Sequence, residues 1–229
     1  MKKKIALFCS LYFIIISISG QNKKFEEVSI DDFLTETQYG SDNADTIDII
    51  WWIPTEYWNV VFSQDPTTSI SDTEDIVNLV KDYVFVMALK GKIGTFGGIT
   101  YDDENIVREQ LNVNYMNTDL KRVDNDNLNP DIVNFLSMMK PMMKNMMGPM
   151  GENMQFIVFE SPDRKNNVIP IDPYSSETIK FELGDFKKDV MLPLACLLEE
   201  KVCPETDEEH NGKWTFCPYH GVKLVDKKQ

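Results

Sequence analysis

Apolar and polar positions follow two different periods along this chain, and the switches between them mark its elements. "TIDIIWWIP" is an apolar run ended by Pro54, the pattern of a buried strand. "PTEYWNVVFSQD" follows, with proline where a helix begins. "SDTEDIVNLVKDY" has Ser71 and Glu74 at capping-box spacing and keeps Ile76, Val77, Leu79, Val80 and Tyr83 near one face, which predicts a helix. "VFVMALKGKIGTFGGITY" reads as two strands joined through a glycine turn, and "DENIVREQL" as a short helix leading to "NVNYMN" and "LKRV". "NPDIVNFLSMMKPMMKNMM" is a second long helix, with Asn129 as N-cap and Pro130 at its first position. "MQFIVFES", "TIKFELG" and "DVMLPLACLL" supply three more strands. Consecutive strands with short connections predict an α+β fold over residues 46–195: a largely antiparallel or mixed sheet packed by two or three helices. Residues 21–45 are polar and weakly patterned, and read as a linker with at most a short helix.

Residues 1–20 stand apart from that pattern. Lys2, Lys3 and Lys4 precede an apolar stretch from Ile5 to Ile16, and Ser17, Ser19 and Gly20 supply the small residues of a cleavage site. This is the layout of a signal peptide, cut after Ser19 or Gly20, with an uncleaved anchor as the alternative. The protein is therefore expected to be extracytoplasmic, periplasmic or secreted, with no stable membrane span after cleavage.

The formal net charge is -14, and without the three signal lysines it falls to -17. No basic cluster remains to follow a phosphate backbone, so nucleic acid is excluded as a partner; a protein or a small molecule is left.

Residues 138–154, "MMKPMMKNMMGPMGENM", hold eight of the twelve methionines. On a helical wheel Met138, Met139, Met142, Met143, Met146 and Met147 fall in the half that also carries Ile132, Phe135 and Leu136, while Lys140, Lys144, Ser137, Asn145 and Asn134 take the other half. The stretch is expected to be the core face of a helix, its thioethers filling the irregular space around Pro141. An adaptable partner-binding groove and a copper(I) site are the alternatives, and outward-pointing sulfurs would favour the latter. Trp51, Trp52, Tyr57 and Trp58 pose a similar choice between core and a stacking surface, and core is expected.

Signatures of catalysis are absent from the body. There is no G-x-S-x-G elbow, H-E-x-x-H helix or C-x-x-C pair, and both histidines lie in the tail. Only carboxylates remain for acid–base work, so a carboxylate-based hydrolase is one alternative function.

The tail, residues 196–229, carries the metal-binding chemistry. "VCPETDEEHNGKWTFCPYHGVKLV" brings together Cys203, His210, Cys217 and His220. Residues 202 to about 225 resemble a zinc ribbon, in which two C-P-x-C-G knuckles sit on hairpin turns and a "W-x-F-C-P" strand leads into the second. Cys217, Pro218, His220 and Gly221 match the second knuckle with histidine in place of its second cysteine. The first keeps Cys203 and Pro204 but has Thr206 at the ligand position, so His210 or Asp207 would complete the set. The resemblance implies zinc as cofactor. A Cys203–Cys217 disulfide, with Cys196 left over, is the competing expectation for an exported chain, and a ribbon held by its own packing is the third. The expected function is a non-catalytic binding or structural module, with an envelope metal-handling protein using the methionine helix and the tail as the alternative.

Overall fold

The computed structural model describes residues 22–160 and 171–227; the predicted export signal lies outside them. Six helices occur among the described residues: α1 (Ile30–Thr37), α2 (Thr55–Ser63), α3 (Ile70–Val80), α4 (Glu104–Gln110), α5 (Pro130–Met147) and α6 (Pro149–Asn153). The strands are β1 (Gln38–Gly40), β2 (Thr46–Ile53), β3 (Tyr83–Ile93), β4 (Ile99–Tyr101), β5 (Leu111–Tyr115), β6 (Thr118–Asp119), β7 (Gln155–Glu160), β8 (Thr178–Leu183), β9 (Phe186–Met191), β10 (Lys201–Val202), β11 (Glu209–His210) and β12 (Val225–Asp226). They form three antiparallel sheets, so the chain is α+β. No helix among the described residues is long and apolar enough to cross a membrane.

The central sheet runs β1-β2-β3-β4, with β7 also paired to β3. β2, β3 and β7 are largely buried on both faces, which is why residues 49–53 of β2 read as an apolar run. Period-two alternation divides each strand between two cores. Ile50 and Trp52 of β2, Val84, Val86 and Ala88 of β3, and Ile157 and Phe159 of β7 enter one core, shared with Val113, Ile179 and Phe181 of the second sheet, β6-β5-β8-β9. Trp51, Ile53, Phe85, Met87, Leu89 and Val158 enter the other, covered by Trp58 of α2, Val80 of α3, and Ile132, Phe135 and Met143 of α5. The result is three layers: helices, central sheet, second sheet. Trp51 and Trp52 point to opposite faces and both are buried, so neither offers a stacking surface.

Several local expectations shift. The linker expected over residues 21–45 instead carries α1 and the edge strand β1, with Val28 and Phe33 in the first core. The capping box of α3 forms two residues earlier than the spacing suggested, between Ser69 and Asp72. Asn129 caps α5 by accepting from the Asp131 backbone N–H, and Pro130 opens the helix as expected.

The largest correction concerns the methionines. Ile132, Phe135 and Met143 are buried in α5, and Leu136, Met139 and Met147 pack at their flank. Met138, Met142 and Met146, expected inside, are 63%, 53% and 73% exposed. The wheel placed all six methionines in one apolar half, but the sheet beneath α5 covers only part of that arc. After Gly148 the chain turns back as α6, and Gly151 lies so close that an added Cβ would stand 1.9 Å from the Met143 carbonyl oxygen. Only glycine permits that approach.

Candidate metal centre

The third sheet, β11-β10-β12, gathers the C-terminal unit. It is seated on the body by backbone and side chain. The Lys23 N–H donates to the Leu197 carbonyl at 2.9 Å, the Lys23 ammonium meets the Glu200 carboxylate at 2.5 Å, and Lys213 Nζ donates to the Met191 carbonyl at 2.8 Å. Gly212 lies against the Leu198–Glu199 backbone, where an added Cβ would meet the Glu199 carbonyl oxygen at 2.4 Å. Just before the unit, Glu36 of α1 accepts from the Ala195 and Cys196 backbone N–H groups at 2.6 and 3.2 Å. It thereby caps the 3-10 turn Ala195–Leu197, a role with no signal in the sequence.

Two turns in this unit have the same backbone. In the first, the Cys203 N–H donates to the Glu208 carbonyl at 2.9 Å, the Asp207 N–H donates to the Cys203 carbonyl at 2.8 Å, and Asp207 has φ of 59°. In the second, the Cys217 N–H donates to the Val222 carbonyl at 2.8 Å, the Gly221 N–H donates to the Cys217 carbonyl at 2.9 Å, and Gly221 has φ of 68°. Both are five-residue knuckles closed by a left-handed residue. Aspartate tolerates that conformation well enough to replace the usual glycine. The first turn therefore has the backbone of the second, although Thr206 occupies the station that His220 fills there.

The knuckles bring Cys203, Cys217 and His220 together, with one donor atom of each within 4.8 Å of the others. His220 Nδ1 is 3.5 Å from Cys203 Sγ and 3.4 Å from Cys217 Sγ. Zinc bonds of about 2.3 Å to sulfur and about 2.0–2.1 Å to nitrogen, at a tetrahedral angle, imply a sulfur–nitrogen edge of about 3.6 Å. The donors stand close to that separation, so the residues present fit such an ion. Both thiols are buried, and neither is in a disulfide.

His210 lies outside the mutual group but is adjacent to it. Its Nε2 is 3.5 Å from Cys217 Sγ, the same edge length, and its ring is held by Trp214 at 5.9 Å and Tyr219 at 6.1 Å between centroids. Asp207, the other residue weighed for the fourth position, is taken up as the left-handed residue of the first knuckle. An open cleft of about 640 Å³ lined by Thr206, Glu208, Glu209, His210, Tyr219 and His220 lies over the centre.

The thiols differ in their chemistry. Burial pushes the Cys203 thiol up, but hydrogen bonds from the Glu205 backbone, from the Thr206 hydroxyl and backbone, and from Cys217 outweigh it and hold the thiol down to about 7. A thiolate is the ligand form, so the Glu205 and Thr206 donors favour metal binding. Cys196 is the opposite case: burial first, then the negative charges of Glu36 and Asp32, pushes its thiol up to about 12. It is an inert core residue.

Away from the tail, one buried carboxyl among the described residues has an oxygen with no partner. Glu56, in the first turn of α2, is 5% exposed, and its Oε2 has no hydrogen-bond partner among the described residues. Burial, opposed by a bond to its own backbone and reinforced by Asp172, raises its carboxyl to about 7.

Compared with known proteins, the chain matches no family model, no curated protein and no solved structure.

Proposed function

We propose that the chain is an exported, non-catalytic binding or structural protein whose C-terminal unit is organised by one zinc ion. Cys203, Cys217 and His220 would hold the ion, with His210 as fourth donor from β11. The observation that carries this reading is that His220 Nδ1 stands 3.4 to 3.5 Å from both buried thiols, each separation matching a tetrahedral edge, with His210 at the same distance from Cys217 alone. Two thiolates and two imidazoles are a borderline-soft set, which suits zinc better than calcium or magnesium. Bound there, the ion would supply cross-linking energy, and full occupation of its four positions by protein would leave none open for catalysis.

Metal analysis and thiol counting on one purified sample test it. About one zinc per chain is expected, with Cys196, Cys203 and Cys217 all titrating as free thiols after denaturation. Cys217→Ser should lose the zinc. His210→Ala should weaken its retention against a chelator, and Thr206→Cys in that background should restore it, because the first knuckle already has the backbone to present a ligand from that station. Absence of zinc with only Cys196 titrating would overturn the reading in favour of a disulfide.

A further inference from the structure

The outward row of α5 has no explanation in the packing of the fold. The inward face of the helix is complete: Ile132, Phe135 and Met143 are buried, with Leu136, Met139 and Met147 beside them. Met138, Met142 and Met146 stand one turn apart at the edge of that face, each more than half exposed. A row that only needed solvation would carry charged or amide side chains, as Lys140, Lys144 and Asn145 do on the same helix. An apolar docking ridge would mix side-chain shapes, as the inward face does. Here all three positions are the same unbranched thioether.

Thioethers are soft and uncharged, and they select copper(I) over zinc or the hard cations. Residues four apart on a helix have Cβ atoms about 5–6 Å from one another, and methionine adds three rotatable bonds, so adjacent sulfurs can converge on one ion. Met142, between the other two, can pair with either. The row contains no carboxylate to attract a hard ion, and the nearby Lys144 is already paired with Glu152 at 2.6 Å. We propose that Met138, Met142 and Met146 form a surface site for a soft monovalent cation of the copper(I) class. The site shares no residue with the zinc centre, so either can fail without the other.

The test is a titration of the full chain, carrying 13C-methyl methionine, with copper(I) supplied anaerobically as its acetonitrile complex. Thiolates bind copper(I) more tightly than thioethers, so Cys203 and Cys217 fill first. The methyl signals of Met138, Met142 and Met146 should then shift together and saturate at one further copper per chain, while the buried Met87 and Met143 stay still. Replacing the three by leucine should remove that one equivalent and leave zinc content and thermal midpoint unchanged. Equal copper uptake by the leucine variant, or methyl signals that do not move, would overturn the proposal and leave the row as plain apolar surface.

Discussion

The body and the C-terminal unit are held by different forces, and the contrast follows from the length of their strands. In the body, β3 runs for eleven residues and feeds two cores at once, Val84, Val86 and Ala88 on one face and Phe85, Met87 and Leu89 on the other. The C-terminal strands are two residues each, and the core they enclose is Cys203, Cys217 and Leu224 with Val222 at its edge. A segment this small cannot exclude enough water to offset its own ordering, and chains below about 40 residues generally need a metal or a disulfide. The two cysteines thus serve as the centre of the unit's small core and as its candidate ligands. Burial specifies the body; in the proposed reading, donor geometry specifies the tail.

Substitution at Trp52 separates the two halves most sharply. Its side chain is 1% exposed between the central and second sheets, where it contacts Phe181 with ring centroids 6.4 Å apart. Trp52→Ala should lower global stability by about 3–5 kcal/mol, read from chemical denaturation of the body. The zinc content of the protein that remains folded should not change, since no donor sits on the central sheet. Loss of zinc in parallel with loss of body stability would mean that the tail depends on the body more than its seating contacts suggest.

That division was only partly visible in the sequence. The run "TIDIIWWI" shows that β2 is buried, but not that its alternate residues serve two layers, because its apolar residues 49–53 have no period to read. The second knuckle is legible through Cys217, Pro218, His220 and Gly221, whereas the first is hidden: Thr206 removes the donor and Asp207 replaces the glycine, yet the hydrogen bonds persist. The methionines misled for another reason. A wheel reports which half of a helix is apolar, and the width of the stripe that becomes buried depends on what lies beneath it. Glu36, which caps a turn far along the chain, was invisible because its partners are backbone N–H groups.

A smaller effect is expected at Glu56, and it belongs to the body alone. The folded state holds this carboxyl's proton up to about pH 7, while the unfolded chain, with an ordinary value of 4.5, releases it earlier. Between those values the folded state binds more protons, so stability falls as pH rises, and above the folded value the full cost is present. A shift of this size corresponds to roughly 3–4 kcal/mol. Glu56→Gln should flatten the slope between pH 5 and pH 8 and raise stability at pH 8, as measured by denaturation midpoints. Equal slopes in the two proteins would show that Glu56 is not the group responsible. The proposed zinc centre should move the other way on acidification, since protonation of thiolate and imidazole ligands would release the ion.

The smallest effect is expected where the sequence pattern pointed to a large one. If Met142 and Met146 were core residues, replacing both by aspartate would leave two unpaired charges under a helix and unfold the domain. They are 53% and 73% exposed, so the charges would remain in water and the cavity term vanishes. What remains is helix propensity, a few tenths of a kcal/mol for each aspartate, and an unfavourable position for Asp near the C-terminal end of α5. The double variant should therefore stay folded and lose about 1 kcal/mol or less, measured by denaturant midpoint at constant slope. The same pair of substitutions at Met143 and Met154, both buried against the central sheet, should cost several times more. If the outward pair proved as costly as the inward pair, α5 would have to be rotated on the sheet and the exposed sulfur row would not exist.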